Sequence, residues 1–179
     1  MHLEIDPKKV EKLAARQEDA NWRFRSFLKG IDLDSEEVDA VVHRLYARVA
    51  EEIDCLSCSN CCREIIPTLW EEDIARLAGA LEISREETVK RFLVPEEDEG
   101  TFTFRDTPCP LLSGNRCTVY ESRPDDCRSF PHLHKEGFVY RTMQAVRNCS
   151  ICPIVFNVFE LLKAELWRYP DEDWEEEDF

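Results

Sequence analysis

Four cysteines stand within eight residues of this chain, Cys55, Cys58, Cys61 and Cys62, in the order C-x-x-C-x-x-C-C. Five more follow at Cys109, Cys117, Cys127, Cys149 and Cys152. Thiolates gathered this densely point to a bound metal or an iron–sulfur cluster. A tetrahedral zinc site takes four thiolates, and so does a cubane cluster. Eight of the nine therefore suffice for two sites, or fewer serve one site with spares. Cys61 and Cys62 are adjacent. In extended backbone neighbouring side chains point opposite ways, so the pair serves two sites or else bridges two metals. Cysteine as a small buried hydrophobe accounts for a ninth thiol but not for four in eight residues.

The arginines supply a second, independent signal. Arg63 follows Cys62, Arg116 precedes Cys117, Arg128 follows Cys127, and Arg147 lies two before Cys149. From Arg105 to Cys152 six Arg and one Lys face five acids, a net of +2, in a chain of net charge −15. Positive charge lowers thiol pKa values and offsets a four-thiolate site. The alternative is that these arginines simply pair with Glu121, Asp125 and Asp126.

Spacing also bears on the metal. Two C-x-x-C knuckles, Cys55/Cys58 and Cys149/Cys152, would suit zinc. A C-x-x-C-x-x-C run with a remote cysteine beside proline suits a cubane, and Cys109-Pro110 and Cys152-Pro153 both qualify as the fourth. The iron–sulfur reading, [4Fe–4S] in particular, accounts for more of the pattern than zinc does. His132 and His134 follow Cys127 closely enough to ligate or to donate protons, though their spacing in an expected loop reads more simply as ordinary surface histidine. His43 and His2 have no partner legible in the sequence.

These motifs resemble the YkgJ-like cysteine cluster proteins, a zinc- or iron-chelating C-x-x-C-x-x-C-C domain. The resemblance rests on Cys-Leu-Ser-Cys-Ser-Asn-Cys-Cys at 55–62, Cys109-Pro-Leu-Leu, Cys117-Thr-Val-Tyr120-Glu-Ser-Arg-Pro124 and Cys127-Arg-Ser-Phe-Pro131, and covers 55–152. It implies a metal or iron–sulfur protein with eight ligands, Cys152 being the eighth and Cys149 the extra. Some relatives in that family are flagellin lysine methylases. The resemblance names no catalytic residue here.

The elements that must position these thiols are mostly helical. Asp6-Pro7 opens a helix with Val10, Leu13, Ala14, Ala20, Phe24, Phe27 and Leu28 on one side, ended by Gly30. Asp34 or Ser35 caps a second, with Val38, Val41, Val42, Leu45, Val49 and Ile53 inward. The short loop between them predicts an antiparallel hairpin over 7–54. Thr68–Glu71 and Ser84–Glu87 read as capping boxes opening two further helices. Strands are expected at Thr101–Phe104, Cys117–Tyr120 and Phe138–Thr142. Pro153 opens a C-terminal helix over 153–169, and 171–179 is an acidic, solvated tail. The expected architecture is α+β and mostly helical. One domain over 1–170 packs the hairpin and the C-terminal helix around a cysteine module, 55–152, with two or three short strands.

Composition bounds the function. At 179 residues and 43% hydrophobic, the chain can bury a core without staples. A pI of about 4.7 argues against nucleic acid and anionic membrane surfaces as partners. No basic stretch followed by an apolar run opens the sequence, and no segment is apolar over the roughly 20 residues a membrane span needs. The expected location is cytoplasmic, where thiols stay reduced. No glycine-rich phosphate loop, H-E-x-x-H or nucleophile elbow is present, so no catalyst is named. Three roles stay open: a storage or sensing module, an iron–sulfur protein doing redox or protein-modifying chemistry, and an adaptor for a protein partner.

Overall fold

The computed structural model describes residues 3–97 and 100–167. The first expected helix forms as two. α1 (Pro7–Arg16) is capped by Asp6, whose carboxylate accepts from the Lys8 N–H at 2.9 Å. The chain breaks at Gln17 (φ −96°, ψ 6°), and α2 (Glu18–Leu28) follows. The break realigns the buried stripe, which runs from Val10 and Ala14 to Asn21, Phe24 and Leu28 rather than through Ala20. The polar Asn21 is tolerated in the core because its Oδ1 accepts from the Lys163 ammonium at 2.8 Å. α3 (Ser35–Ala50) opens on a full capping box, Asp34 accepting from Glu37 N–H and the Glu37 carboxylate accepting from Asp34 N–H.

Three expectations in the second half need correction. Thr68 does not cap a helix. It sits in β1 (Thr68–Leu69), and α6 (Glu71–Leu81) starts after Trp70, whose N–H donates to Asp73 at 2.9 Å. The expected strand from Cys117 to Tyr120 is shorter, because Tyr120–Ser122 winds into a 3-10 turn. The expected strand Phe138–Thr142 is helical. It is the first part of α9 (Phe138–Asn148), preceded by Gly137 in the left-handed region at φ 70°. Phe-Val-Tyr favours strand locally, but Phe138, Thr142, Ala145 and Val146 are buried at helical spacing. The Asp39 carboxylate completes the switch by accepting from the Gly137 and Phe138 N–H groups at 2.6 and 2.8 Å. It satisfies two donors that a helix start leaves open.

The remaining elements are short. α7 (Arg85–Phe92) is capped by Ser84. β2 (Leu93–Pro95) and β1 flank β3 (Phe102–Phe104) in an antiparallel sheet of order β1-β3-β2. β4 (Leu112–Ser113) and β5 (Arg116–Cys117) form a hairpin that pairs Leu112 with Cys117 and turns at Gly114 (φ 61°). α10 (Pro153–Leu166) opens on proline as expected. The protein is mostly helical α+β, with five short strands among the described residues. The acidic segment 171–179 lies outside the described residues.

Two separate cores result. The larger joins α1, α2, α3, α9 and α10 around Phe24, Val42, Phe138 and Phe159. Phe24 meets Phe159 edge-on at 5.3 Å between ring centroids. The expected hairpin is held through third parties: α3 packs chiefly on α10 and α9, and α2 on α9. The smaller core gathers Leu69, Ile74, Leu77, Leu93, Phe104, Leu111 and Val119 beneath the three-stranded sheet. The cysteine run lies between the two.

Candidate metal centre

The run 55–62 forms two single helical turns joined at Ser59 and Asn60. α4 (Cys55–Cys58) is a single turn capped by Asp54, whose carboxylate accepts from Leu56 N–H at 2.9 Å. Ser59 then reverses the chain in the left-handed region (φ 45°), and α5 (Cys61–Glu64) forms a second turn. Two hydrogen bonds anchor the run in opposite directions. Asn60 Nδ2 donates to the Ile151 carbonyl at 2.8 Å and draws in the loop that carries Cys152. Cys109 N–H donates to the Cys62 carbonyl at 2.8 Å and draws in the segment before β4.

Eight of the nine thiols form two neighbourhoods that overlap at Cys62, and Cys149 is the remainder. Cys55 is electrostatically opposed by Cys58 and Cys62, Cys61 by Cys62, Cys152 and Cys55, and Cys152 by Cys55 and Cys58. Cys62 in turn acts on Cys109, Cys117 and Cys127, and Cys127 is also opposed by Cys109 and Cys117. Cys61 and Cys62, which the sequence allowed to serve different sites, are the seam. They touch through a hydrogen bond that raises the Cys61 thiol and lowers Cys62 to about 7. Cys149 stands apart. It is buried in the larger core, where burial raises its thiol, and Glu160, Lys163 and then Cys152 act on it.

Burial dominates the other thiols. It pushes Cys109 up to about 11 and Cys152 to about 12, and it raises Cys55, Cys117 and Cys127. The countercharge comes from two arginines. Arg63 lowers Cys62, and Arg123 lowers Cys62, Cys55 and Cys117. Arg123 therefore acts on both neighbourhoods, and sequence reasoning passed over it because it lies four residues from the nearest cysteine. Its guanidinium stacks 3.8 Å from the Tyr120 ring centroid and donates to the Tyr120 carbonyl at 2.8 Å. Tyr-x-x-Arg before Pro124 was the legible signal. Arg63 reaches across to the Gly114 carbonyl at 2.9 Å and fixes α5 to the β4–β5 turn. Arg128 behaves as the plainer reading expected, pairing with Asp125 at 3.9 Å.

Two of the described histidines, His132 and His43, hold other contacts. His132 is buried rather than a surface residue. Its Nε2 lies 3.3 Å from Asp126 and its Nδ1 lies 3.0 Å from Ser129 Oγ. Asp126 also accepts from Thr68 N–H at 3.3 Å, so these contacts fix α8 (Asp125–Ser129), the helix that carries Cys127, against β1. His43 Nε2 lies 3.4 Å from the Lys135 carbonyl.

A family model described as a zinc- or iron-chelating CxxCxxCC domain matches residues 54–153, more than half of the chain. The chain belongs to the CxxCxxCC family. No curated protein and no solved structure matches it. The matched span contains all nine cysteines. In kind and number they suffice for four-thiolate centres, and the buried Ser59 hydroxyl, which has no hydrogen-bond partner, lies within the run. Among the described residues no three His, Cys, Asp or Glu side chains are drawn close enough to hold a metal ion as they stand. All nine cysteines are free thiols. Among the described residues no helix is long and apolar enough to cross a membrane.

Proposed function

We propose that this CxxCxxCC protein carries two thiolate metal centres and acts in redox or cluster-dependent chemistry on a protein partner. The first centre is assigned to Cys55, Cys58, Cys61 and Cys152, and the second to Cys62, Cys109, Cys117 and Cys127. Cys149 is left out, because it is buried in the larger core, where Glu160 and Lys163 act on it more strongly than Cys152 does. The observation that supports the reading is the pair of anchors around Cys61–Cys62: Asn60 Nδ2 donates to the Ile151 carbonyl, next to Cys152, and Cys109 N–H donates to the Cys62 carbonyl, both at 2.8 Å.

The first centre combines a C-x-x-C-x-x-C run with a remote Cys-Pro, the pattern of a cubane ligand set. We therefore assign it a [4Fe–4S] cluster, which when bound exchanges single electrons at a potential set by charge and burial. Arg63 and Arg123 hold positive charge beside the thiolates. Burial of Cys152 in the larger core limits water on one side. A reducing, cytoplasmic setting suits nine free thiols.

A structural role for zinc is favoured by a different observation. Cys152 belongs to the larger core, while Cys109 and Cys117 pack against the smaller, so four-thiolate zinc would staple the two together. Anaerobic purification with iron, zinc and sulfide analysis and an absorption spectrum decides between them. The proposal expects a brown protein with broad absorbance and acid-labile sulfide. Colourless protein with stoichiometric zinc would replace the cluster with the staple. Folded protein with neither metal would remove both.

A further inference from the structure

A cavity of about 680 Å³ opens beside the cysteine run, bounded by α1, α2, α5 and the end of α9. That volume is in the range of small-molecule sites and exceeds what one free amino acid fills. Its lining carries three cations, Lys8, Arg63 and Arg147, and three anions, Glu11, Glu18 and Glu64. Among the described residues none of these six belongs to an ion pair. Charges of both signs are thus held around one opening without neutralising each other. Lys8 and Arg147 donate no side-chain hydrogen bond either, so their full capacity is open to a ligand.

The inner wall differs from the rim. Ala14 and Val146 are buried there and supply apolar surface. Asn21 also lines the cavity and is 2% exposed. Its Oδ1 is taken by the Lys163 ammonium at 2.8 Å, while among the described residues its amide nitrogen donates to no protein group. An amide with an unused donor bordering a cavity is suited to a carbonyl or carboxylate oxygen.

We propose that this cavity binds a short zwitterionic peptide, of dipeptide size, with apolar side chains. Lys8 and Arg147 take its carboxylate, the anions its ammonium, and the amide of Asn21 one of its oxygens. A purely anionic ligand would meet the three carboxylates, and a purely cationic one the three basic groups; a ligand with both charges separated by a few ångströms meets neither penalty. The inference stands whichever metal the thiols take.

The test is isothermal titration of the full chain, purified anaerobically, with L-leucyl-L-leucine, its N-acetylated form and its C-terminal amide. The free dipeptide is expected to bind, and each blocked form to bind at least about tenfold more weakly. Arg147→Ala should weaken the free dipeptide by about tenfold with metal content and thermal midpoint unchanged. Lys8→Ala, on the exposed first turn of α1, repeats the test should Arg147→Ala disturb folding. Absence of binding at millimolar dipeptide would overturn the proposal. So would equal binding of the N-acetylated form, which would mark a plain anion site, or unchanged binding in both variants.

Discussion

The two proposed thiol sets draw on the chain in opposite ways. The first takes three of its four cysteines from the seven residues 55–61 and only Cys152 from afar. The second takes one cysteine from each of four segments: α5, the approach to β4, β5 and α8. The first leans on the larger core, to which Cys152 itself belongs, and the second on the smaller. A local run pays little loop-closure entropy, so its three thiols stand near one another as soon as α4 and α5 form. The second set exists only when the sheet, the hairpin and α8 are all in place. Metal at the second site should therefore act as folding energy for the smaller core, and metal at the first site as a graft on a core that already stands.

The largest effect that would sharpen this contrast is expected from Cys127→Ser. It should remove metal from the second site alone. It should also destabilise the smaller core by more than about 4 kcal/mol, the range reached when a metal is lost. Hydrogen exchange should lose protection in α6 and β1–β3 while α3 and α10 keep theirs. Equal loss in both regions would break the distinction. Next comes Leu77→Ala, a cavity in the smaller core, expected to cost about 2–5 kcal/mol by chemical denaturation. It should loosen metal at the second site and spare the first.

Arg123→Ala should affect both sites, since this guanidinium lowers Cys55, Cys62 and Cys117 alike. Removing it raises those thiols, so fewer are ionised at a given pH, and metal uptake by the stripped protein should shift to higher pH. An unchanged uptake curve would remove Arg123 from the account. In the metal-free chain, alkylation should find Cys62 first, with a rate rising through pH about 7, while Cys152, pushed up to about 12, stays unreactive. Uniform labelling would mean that the neighbourhoods dissolve without metal. The smallest effect belongs to Cys149→Ala, which should keep full metal content and cost about 1 kcal/mol of packing.

Much of this was legible in the sequence, for identifiable reasons. Asp6-Pro7, Asp34 or Ser35, Ser84 and Pro153 announced helix starts through local capping chemistry, and the structure uses Asp6, Asp34, Ser84 and Pro153. The expectation that Cys61 and Cys62 serve different sites rested on extended backbone, whereas both residues lie in the single turn α5. The break at Gln17 was hidden, because the apolar period continues across it. The helix at Phe138 was hidden too, because its start is completed by Asp39, some hundred residues away in sequence. Arg123 was missed for a similar reason. Its distance from any cysteine along the chain says nothing of its place between two groups assembled from remote segments.

The division of eight thiols at one peptide bond is the central claim. Native mass spectrometry of the anaerobically loaded chain, compared with Cys61→Ser and Cys62→Ser, tests it most directly. Each single variant should lose one metal centre and keep the other, and the double variant should lose both. Loss of all metal from either single variant, or of none from both, would contradict the account.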